Sequence, residues 1–558
     1  MKYPYDNLKD FTLSSLLDRS VELYGDKDAL AKVNEKAMSY LEFYEKVRQM
    51  VVILKENGIS KNDKIILLSE NMPNWAVAYF SVTYMGAVIV PVLVDFHPSD
   101  VHHIIRHSEA KAIFVSEKYL STIEDCKETD LEFAINLDDL KIIKELSSKN
   151  HLSQFTKKIT KKITNKEEAK PTEDDLAAII YTSGTTGHSK GVMLSHKNLV
   201  TNAMSTHVII KISETDVFLS ILPLAHTYEC TVGLILPILH GSSIYYIDKT
   251  PTPTVLLKAF ETVKPTFMLT VPLIMEKIYK NKILSKINNS AITKNLYKIP
   301  FFRKKLNRIA GKKLYKSFGE RLRFFGIGGA ALSPFVENFL IEAKFPFTVG
   351  YGLTETAPLL AGTPLNAKTK FKSTGPAMFG VELKIKDANP KTKEGEIIAK
   401  SPSIMMGYYK DKEKTDEVME DGWFLTGDLG YIDDDGYLFI SGRSKNVIIG
   451  SGGENIYPEQ LETVINQNEA VEDSLVMEQN GKVVAKIHLD YELIDEMFNA
   501  HKNTESKVRK EIDNFLEEMR QDVNSQVSSF SKVTKFIEQT EPFVKTPTKK
   551  IKRFLYTQ

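Results

Sequence analysis

The chain has 558 residues, 42% of them hydrophobic and 26% charged, with a formal net charge of +1. That balance excludes a disordered or fibrous protein and leaves no global field to draw the molecule to a polyanion. The length predicts three or four domain-sized units. The two cysteines, Cys126 and Cys230, cannot build a disulfide framework. The N-terminus "MKYPYDNLKDFTL" has no apolar core, and no run of about 18 apolar residues occurs, which predicts a soluble cytoplasmic protein.

In the N-terminal part, short apolar runs alternate with helical patterns. "DKIILLS" reads as a strand, "NWAVAYFSVTYMGA" as a helix, and "VIVPVL" and "AKAIFVS" as further strands. This βαβα rhythm predicts an α/β fold with a mostly parallel sheet covered by helices. Over residues 146–175 the pattern dissolves into a polar connector. It resumes with the strand-like "LAAII" (176–180), followed by "YTSGTTGHSKGVMLSH" (181–196), with a helix predicted to start at Ser195. Further on, "GYLFISGRSKNVIIGSGGENIYP" reads as an interdomain junction. Val508, Ile512, Phe515, Leu516, Met519 and Val523 then recur at helical spacing, as a packing face would.

The stretch 181–196 concentrates small donors. Ser183, Thr185, Thr186 and Ser189 offer hydroxyls, Gly184 and Gly187 allow close backbone approach, and Lys190 adds a charge. It is not the P-loop pattern, because Gly184 and Gly187 are too close and Gly191 follows Lys190. It reads as a polar surface turn or as a phosphate cradle. Two later stretches bear on that choice. "GYGLTET" sets Thr354 beside Glu355 just after an apolar run, where a carboxylate can hold Mg²⁺. "GWFLTGDLGYIDDDGYLFISGR" sets Asp428 in a Gly-flanked turn suited to the two hydroxyls of a ribose, with Arg443 shortly after.

Together with "EGEIIAKSPSIMMGYY" and "GRSKNVIIGSGGENIYPEQLE", these stretches stand in the order of a known motif set. From Tyr40 to its C-terminus the chain resembles the adenylate-forming (AMP-binding, acyl-CoA synthetase) superfamily, and most of all its long-chain fatty acid–CoA ligases. The resemblance implies an α/β architecture: a large N-terminal domain of helix-flanked sheets (1–444) and a small mobile α+β C-terminal domain (445–558). It implies ATP-dependent activation of an acid to an acyl-adenylate with pyrophosphate release, then acyl transfer to a thiol. ATP, Mg²⁺ and coenzyme A are the cofactors it implies. Adenylation replaces an oxide leaving group with AMP, and it needs charge stabilisation at the α-phosphate more than a general base.

Residue by residue, the resemblance implies that Thr182, Ser183, Gly184, Thr185, Thr186, Gly187 and Lys190 form a mobile lid over the β- and γ-phosphates. Tyr351 matches the aromatic position on adenine, with Gly352 beside it and Gly329 and Ala330 along the other side of the base. Thr354 matches a phosphate-contacting hydroxyl and Glu355 the Mg²⁺ ligand. Asp428 matches the ribose carboxylate, Arg443 another nucleotide contact, and His226 in "PLAHTYE" the position bordering the acyl carboxylate. Lys445 sits at the family's interdomain hinge, and Gly452 and Gly453 match the glycines lining the pantetheine path. The catalytic lysine falls in "VKTPTKKIKRF". Aligning its isoleucine and arginine makes it Lys550, with Lys549 where glycine is common, so Lys549 could also contribute or substitute.

An amino-acid-activating relative would carry an aspartate near "PLAHTYE", where Glu229 is no more than a possible stand-in. No insertion separates Thr356 from Glu394, which favours CoA as acceptor. The segment 264–283 and the forty or so residues after it resemble long-chain members, with "GLILPILHG" and "FMLTVPLIM" as candidate tunnel walls. A medium-chain or aryl acid–CoA ligase and a non-catalytic acyl or nucleotide sensor are the rival readings. Between residues 294 and 323 eleven Lys or Arg stand against one acid, Glu320, with Tyr297, Phe301, Phe302 and Tyr315 interleaved. This reads as a solvated helical face or as a patch for peripheral contact with anionic membrane. No base-recognition module accompanies it, so no nucleic acid partner is expected.

Overall fold

The computed structural model describes residues 8–127, 129–143, 170–182, 189–248, 252–365, 367–450, 454–498 and 505–557. Most of the connector expected over 146–175 lies outside them. Two eight-stranded sheets carry the large part of the molecule. At the centre of one, Leu176–Thr182, Val88–Val92, Lys64–Leu68 and Ala112–Val115 run parallel. Every residue of Val88–Val92 is buried, as expected of a strand covered on both faces. The other sheet is centred on Phe324–Ile327, Phe267–Thr270, Val217–Ser220 and Ser243–Tyr246, all parallel neighbours.

One helix packed within this scaffold is buried on all sides. Pro73–Tyr84 buries Trp75 through Thr83 without a polar face, and proline at its first turn fits a helix start. His196–Ile209 begins as expected at Ser195, whose hydroxyl accepts from the Asn198 N–H while the Asn198 side chain accepts from the Ser195 N–H. The helix-flanked parallel architecture thus agrees with the sequence reading.

A six-stranded antiparallel sheet was not foreseen. Its outer strand Glu382–Lys386 is half-exposed and carries lysines, so its apolar alternation is weak. From Ile448 onward the chain builds its own core, from Ile448 to Phe536. Three strands, Val471–Gln479, Lys482–Leu489 and Lys535–Glu538, pack there under the helices Pro458–Ile465 and Glu505–Gln526. Ile512, Leu516, Met519 and Val523 are buried in this core, with Val508 and Phe515 at its margin, as their spacing predicts.

Candidate active site

The C-terminal strands present one tight turn to the large part of the molecule. The Thr546 N–H donates to the Lys550 carbonyl at 2.7 Å, and the Lys550 N–H donates to Thr546 Oγ1 at 3.1 Å. Lys549 takes the left-handed conformation, φ 63°, which explains why glycine suits that position. Ion pairs tie the turn to the C-terminal core: Lys545 to Asp473 of the strand Val471–Gln479 at 2.6 Å, and Arg553 to Glu462 of the helix Pro458–Ile465 at 2.5 Å. Across the cleft Lys549 Nζ lies 3.3 Å from Asp95, and Asn288 donates to Glu469 at 2.7 Å. In this pose Lys550, rather than Lys549, projects among Asp428, Arg443, Glu355 and His226. Crowding by the cleft walls and then Arg443 lower its pKa, against the pull of Asp428 and Glu355.

Asp428 is buried and doubly held. Arg443 Nε lies 2.8 Å from its Oδ1, and the Tyr351 O–H donates to its Oδ2 at 2.8 Å. Burial raises the carboxyl's pKa, while Arg443 and Tyr351 counteract it. The residue stands not in a turn, as the glycines suggested, but inside the strand Trp423–Ile432, directly opposite Arg443 of Tyr437–Arg443. Gly427, at φ 69°, gives the local irregularity that the sequence showed as a turn. Hairpin register therefore brings these two charges together.

Thr354 and Glu355 form a short helical turn after Phe347–Gly352. Gly352 is obligatory there: a Cβ would stand 1.9 Å from the Pro358 carbonyl. Glu355 Oε1 accepts from the Tyr408 O–H at 2.9 Å. Lys190 lies over the same Tyr408 ring, 4.9 Å from its centroid. It is the first residue of the strand Lys190–Ser195, paired with Thr182 of Leu176–Thr182, so the candidate lid is the tip of a hairpin and not a strand-to-helix loop. Ser183, Gly184, Thr185, Thr186 and Gly187 at that tip lie outside the described residues, as do Gly452 and Gly453. Burial, then Lys414 and Lys445, lower the pKa of Lys190.

His226 Nδ1 accepts from the Tyr228 N–H at 3.2 Å, which leaves the ring proton on Nε2. Burial and the neighbouring Lys550 push its pKa down to about 4, so the ring is neutral. Gly329, at φ 86°, and Ala330 follow the strand Phe324–Ile327 and are exposed. Lys445 is exposed in the short turn Ser444–Asn446 between the two cores.

Sequence reasoning singled out no residue of "EGEIIAKSPSIMMGYY", yet Tyr408 there meets both Glu355 and Lys190. Among the described residues no group of three or more His, Cys, Asp or Glu could hold a metal. Among the described residues the second Glu355 carboxylate oxygen has no hydrogen-bond partner, which fits Mg²⁺ taken by a single carboxylate and completed by phosphate oxygens and water.

A small, partly open apolar cavity of about 20 Å³ is lined by Ile209, Tyr228, Val232, Leu269, Phe324 and Met378, among others. The Tyr228 ring covers Gly326 and Gly328, where any Cβ would meet it. Of the two runs expected as tunnel walls, "FMLTVPLIM" contributes Leu269, whereas "GLILPILHG" is solid core. Its side chains pack inward from the π-helical turn Glu229–Ile235 and the helix Leu236–His240.

The AMP-binding enzyme family model matches residues 17–409. The chain belongs to that family, whose acyl-CoA ligases use ATP, Mg²⁺ and CoA. It is 30% identical over 516 residues to long chain acyl-CoA synthetase 1 of Arabidopsis thaliana, covering 83% of this chain and 76% of that protein. It is also 28% identical over 463 residues to 2-succinylbenzoate–CoA ligase of Oceanobacillus iheyensis, covering 82% and 84%. O-succinylbenzoate coenzyme A synthetase from Bacillus subtilis, solved with ATP and magnesium ion, superposes with a TM-score of 0.74 at 21% identity, covering 97% of this chain and 98% of that one. Similarity thus extends to ligases of both fatty and aryl acids.

Proposed function

We infer that the chain is a long-chain fatty acid–CoA ligase: it joins the acid to AMP with loss of pyrophosphate, then passes the acyl group to the CoA thiol with loss of AMP. The observation that carries the adenylation step is Lys550, exposed in its turn and near enough to Asp428, Arg443 and Glu355 for their charges to act on it. Its ammonium stabilises charge that develops on the α-phosphate as the acid's carboxylate attacks. Neutral His226 offers its Nε2–H to that carboxylate without neutralising it as a nucleophile. Asp428 accepts from the ribose hydroxyls, Tyr351, Gly352, Gly329 and Ala330 bound the adenine, and Thr354 meets phosphate. Glu355 would hold Mg²⁺, which would supply shielding of the phosphate charges. Thr182, Lys190 and the hairpin tip close over the pyrophosphate.

Lys550 belongs to the core that starts after Lys445, so a rotation of residues 445–558 at Lys445 would withdraw it and admit CoA past Gly452 and Gly453. The enzyme is cytoplasmic, and the basic 294–323 segment brings it into peripheral contact with anionic membrane.

The long-chain reading rests on the apolar lining between Ile209, Leu269 and Met378. A medium-chain or aryl acid is the second reading, favoured by the small volume left beneath Tyr228. CoA-dependent AMP release, measured for acids from acetate to stearate and for benzoate, separates them. A maximum at long chains is expected; a maximum at benzoate or acetate overturns the fatty acid assignment and keeps the reaction.

A further inference from the structure

Every charged side chain between Glu276 and Glu320 is a lysine or arginine. Two arginines, one inside this region and one just beyond it, are committed to the fold. Arg303 pairs with Glu342 at 2.9 Å, and Arg323 is held by Asp216. The others stand apart: Lys305, Arg308, Lys312 and Lys316 are exposed on the helix Pro300–Ser317 and make no ion pair among the described residues. At 100° per residue these four fall on one face, the face opposite Asn307, Ala310 and Leu314. Asn307 and Gly311 are buried there, and Gly311 lets the helix close on Ala343, whose Cβ would lie 2.5 Å from an added Cβ. Tight packing on one side thus fixes which side faces out.

The outer face is not purely cationic. Phe301 is 72% exposed, and Ile309 and Phe302 stand out beside the lysines. Ile292, also 72% exposed, and Ile299 extend this surface along the preceding turn and helix Ala291–Tyr297. Single exposed apolar side chains are ordinary, but several gathered among cations over residues 292–309 make a patch of the kind that marks an interaction surface. A surface that only bound phosphate chains would gain nothing from isoleucine and phenylalanine between its cations. An interfacial helix needs that mixture, with cations at headgroup level and aromatic or aliphatic side chains below it.

We propose that this face docks on an anionic lipid bilayer, with Ile292 and Phe301 entering the acyl boundary and Lys305, Arg308, Lys312 and Lys316 meeting lipid phosphates. It deepens the reading of the 294–323 segment above, and it assigns the insertion to two named side chains. The substrate class fits, because a long-chain acid partitions into the same layer.

The test is flotation of the purified full-length protein with vesicles of phosphatidylcholine alone or mixed with phosphatidylglycerol. Wild type is expected to float only with the anionic vesicles and to be released by salt. Lys305→Glu/Arg308→Glu should abolish flotation, and Ile292→Ser/Phe301→Ser should weaken it about tenfold. A Phe301→Trp protein, bound to vesicles, should show blue-shifted emission. Binding that ignores lipid charge, or an unshifted Phe301→Trp emission in the bound state, overturns the proposal. Flotation needs no catalysis, so a protein that floats but activates no long-chain acid sinks only the ligase reading.

Discussion

The nucleotide side and the acyl side of the cleft are built on opposite plans. On the first, each acidic group already has a partner: Asp428 has Arg443 and Tyr351, and Glu355 has Tyr408. Such pairing fixes geometry before substrate arrives, which is what electrostatic stabilisation of a transition state requires. On the second, the apolar cavity lined by Tyr228 offers only about 20 Å³. Apolar recognition asks for volume and adaptable packing more than for fixed directions. On the proposed reading, the chemistry is set rigidly while the acid enters only if Tyr228 moves.

Substitutions on the two sides should therefore fail differently. Glu355→Gln should lower acid-dependent pyrophosphate release about 100-fold, by weakening the hold on Mg²⁺. Tyr408→Phe keeps the carboxylate but frees it, so a loss of about tenfold is expected, partly recovered at high Mg²⁺. A Tyr408→Phe enzyme insensitive to Mg²⁺ would show that the hydrogen bond only supports the fold.

On the acyl side, Tyr228→Ala should leave release with short acids unchanged. It should favour longer ones, each further buried methylene adding about 0.8 kcal/mol, or about fourfold in kcat/KM. An unchanged chain-length profile would remove Tyr228 from the path of the acid.

The smallest effect concerns Glu229, buried beneath Tyr228 with Oε2 lacking any hydrogen bond. Burial raises its pKa from 4.5 to about 8. Between those values the unfolded chain has released a proton that the folded carboxyl keeps, so stability falls as pH rises through that window. Glu229→Gln removes this dependence. The gap in Tm between variant and wild type should widen by a few degrees from pH 5 to pH 8. The histidines whose pKa values the fold lowers, such as His196, are common to both proteins and cancel. A constant gap would mean that Glu229 is ionised in the fold.

Much of this was legible in the sequence because its signals are local. Leu176–Thr182, Pro73–Tyr84 and Val88–Val92 are short, strongly apolar and bounded by turn residues. Thr354 and Glu355 are neighbours in one motif. Asp428 and Arg443 could each be singled out, but their pairing comes from antiparallel register and the sequence read the strand as a turn. Tyr408 lay in a quoted motif and escaped notice, since a tyrosine's role depends on what its O–H reaches across two sheets. The acyl cavity was the least legible part. Ile209, Val232, Leu269, Phe324 and Met378 come from five separate elements or loops with no shared spacing. "GLILPILHG" looked like a wall only because core and tunnel lining have the same composition.

The central claim is that Lys550 serves the adenylation half of the reaction and not the transfer half. Exchange of labelled pyrophosphate into ATP, driven by acid without CoA, measures the first half alone. Lys550→Ala should lose this exchange by about 100-fold or more while still converting supplied acyl-adenylate and CoA to thioester. Exchange retained in the variant, or equal loss of both halves, would contradict the account.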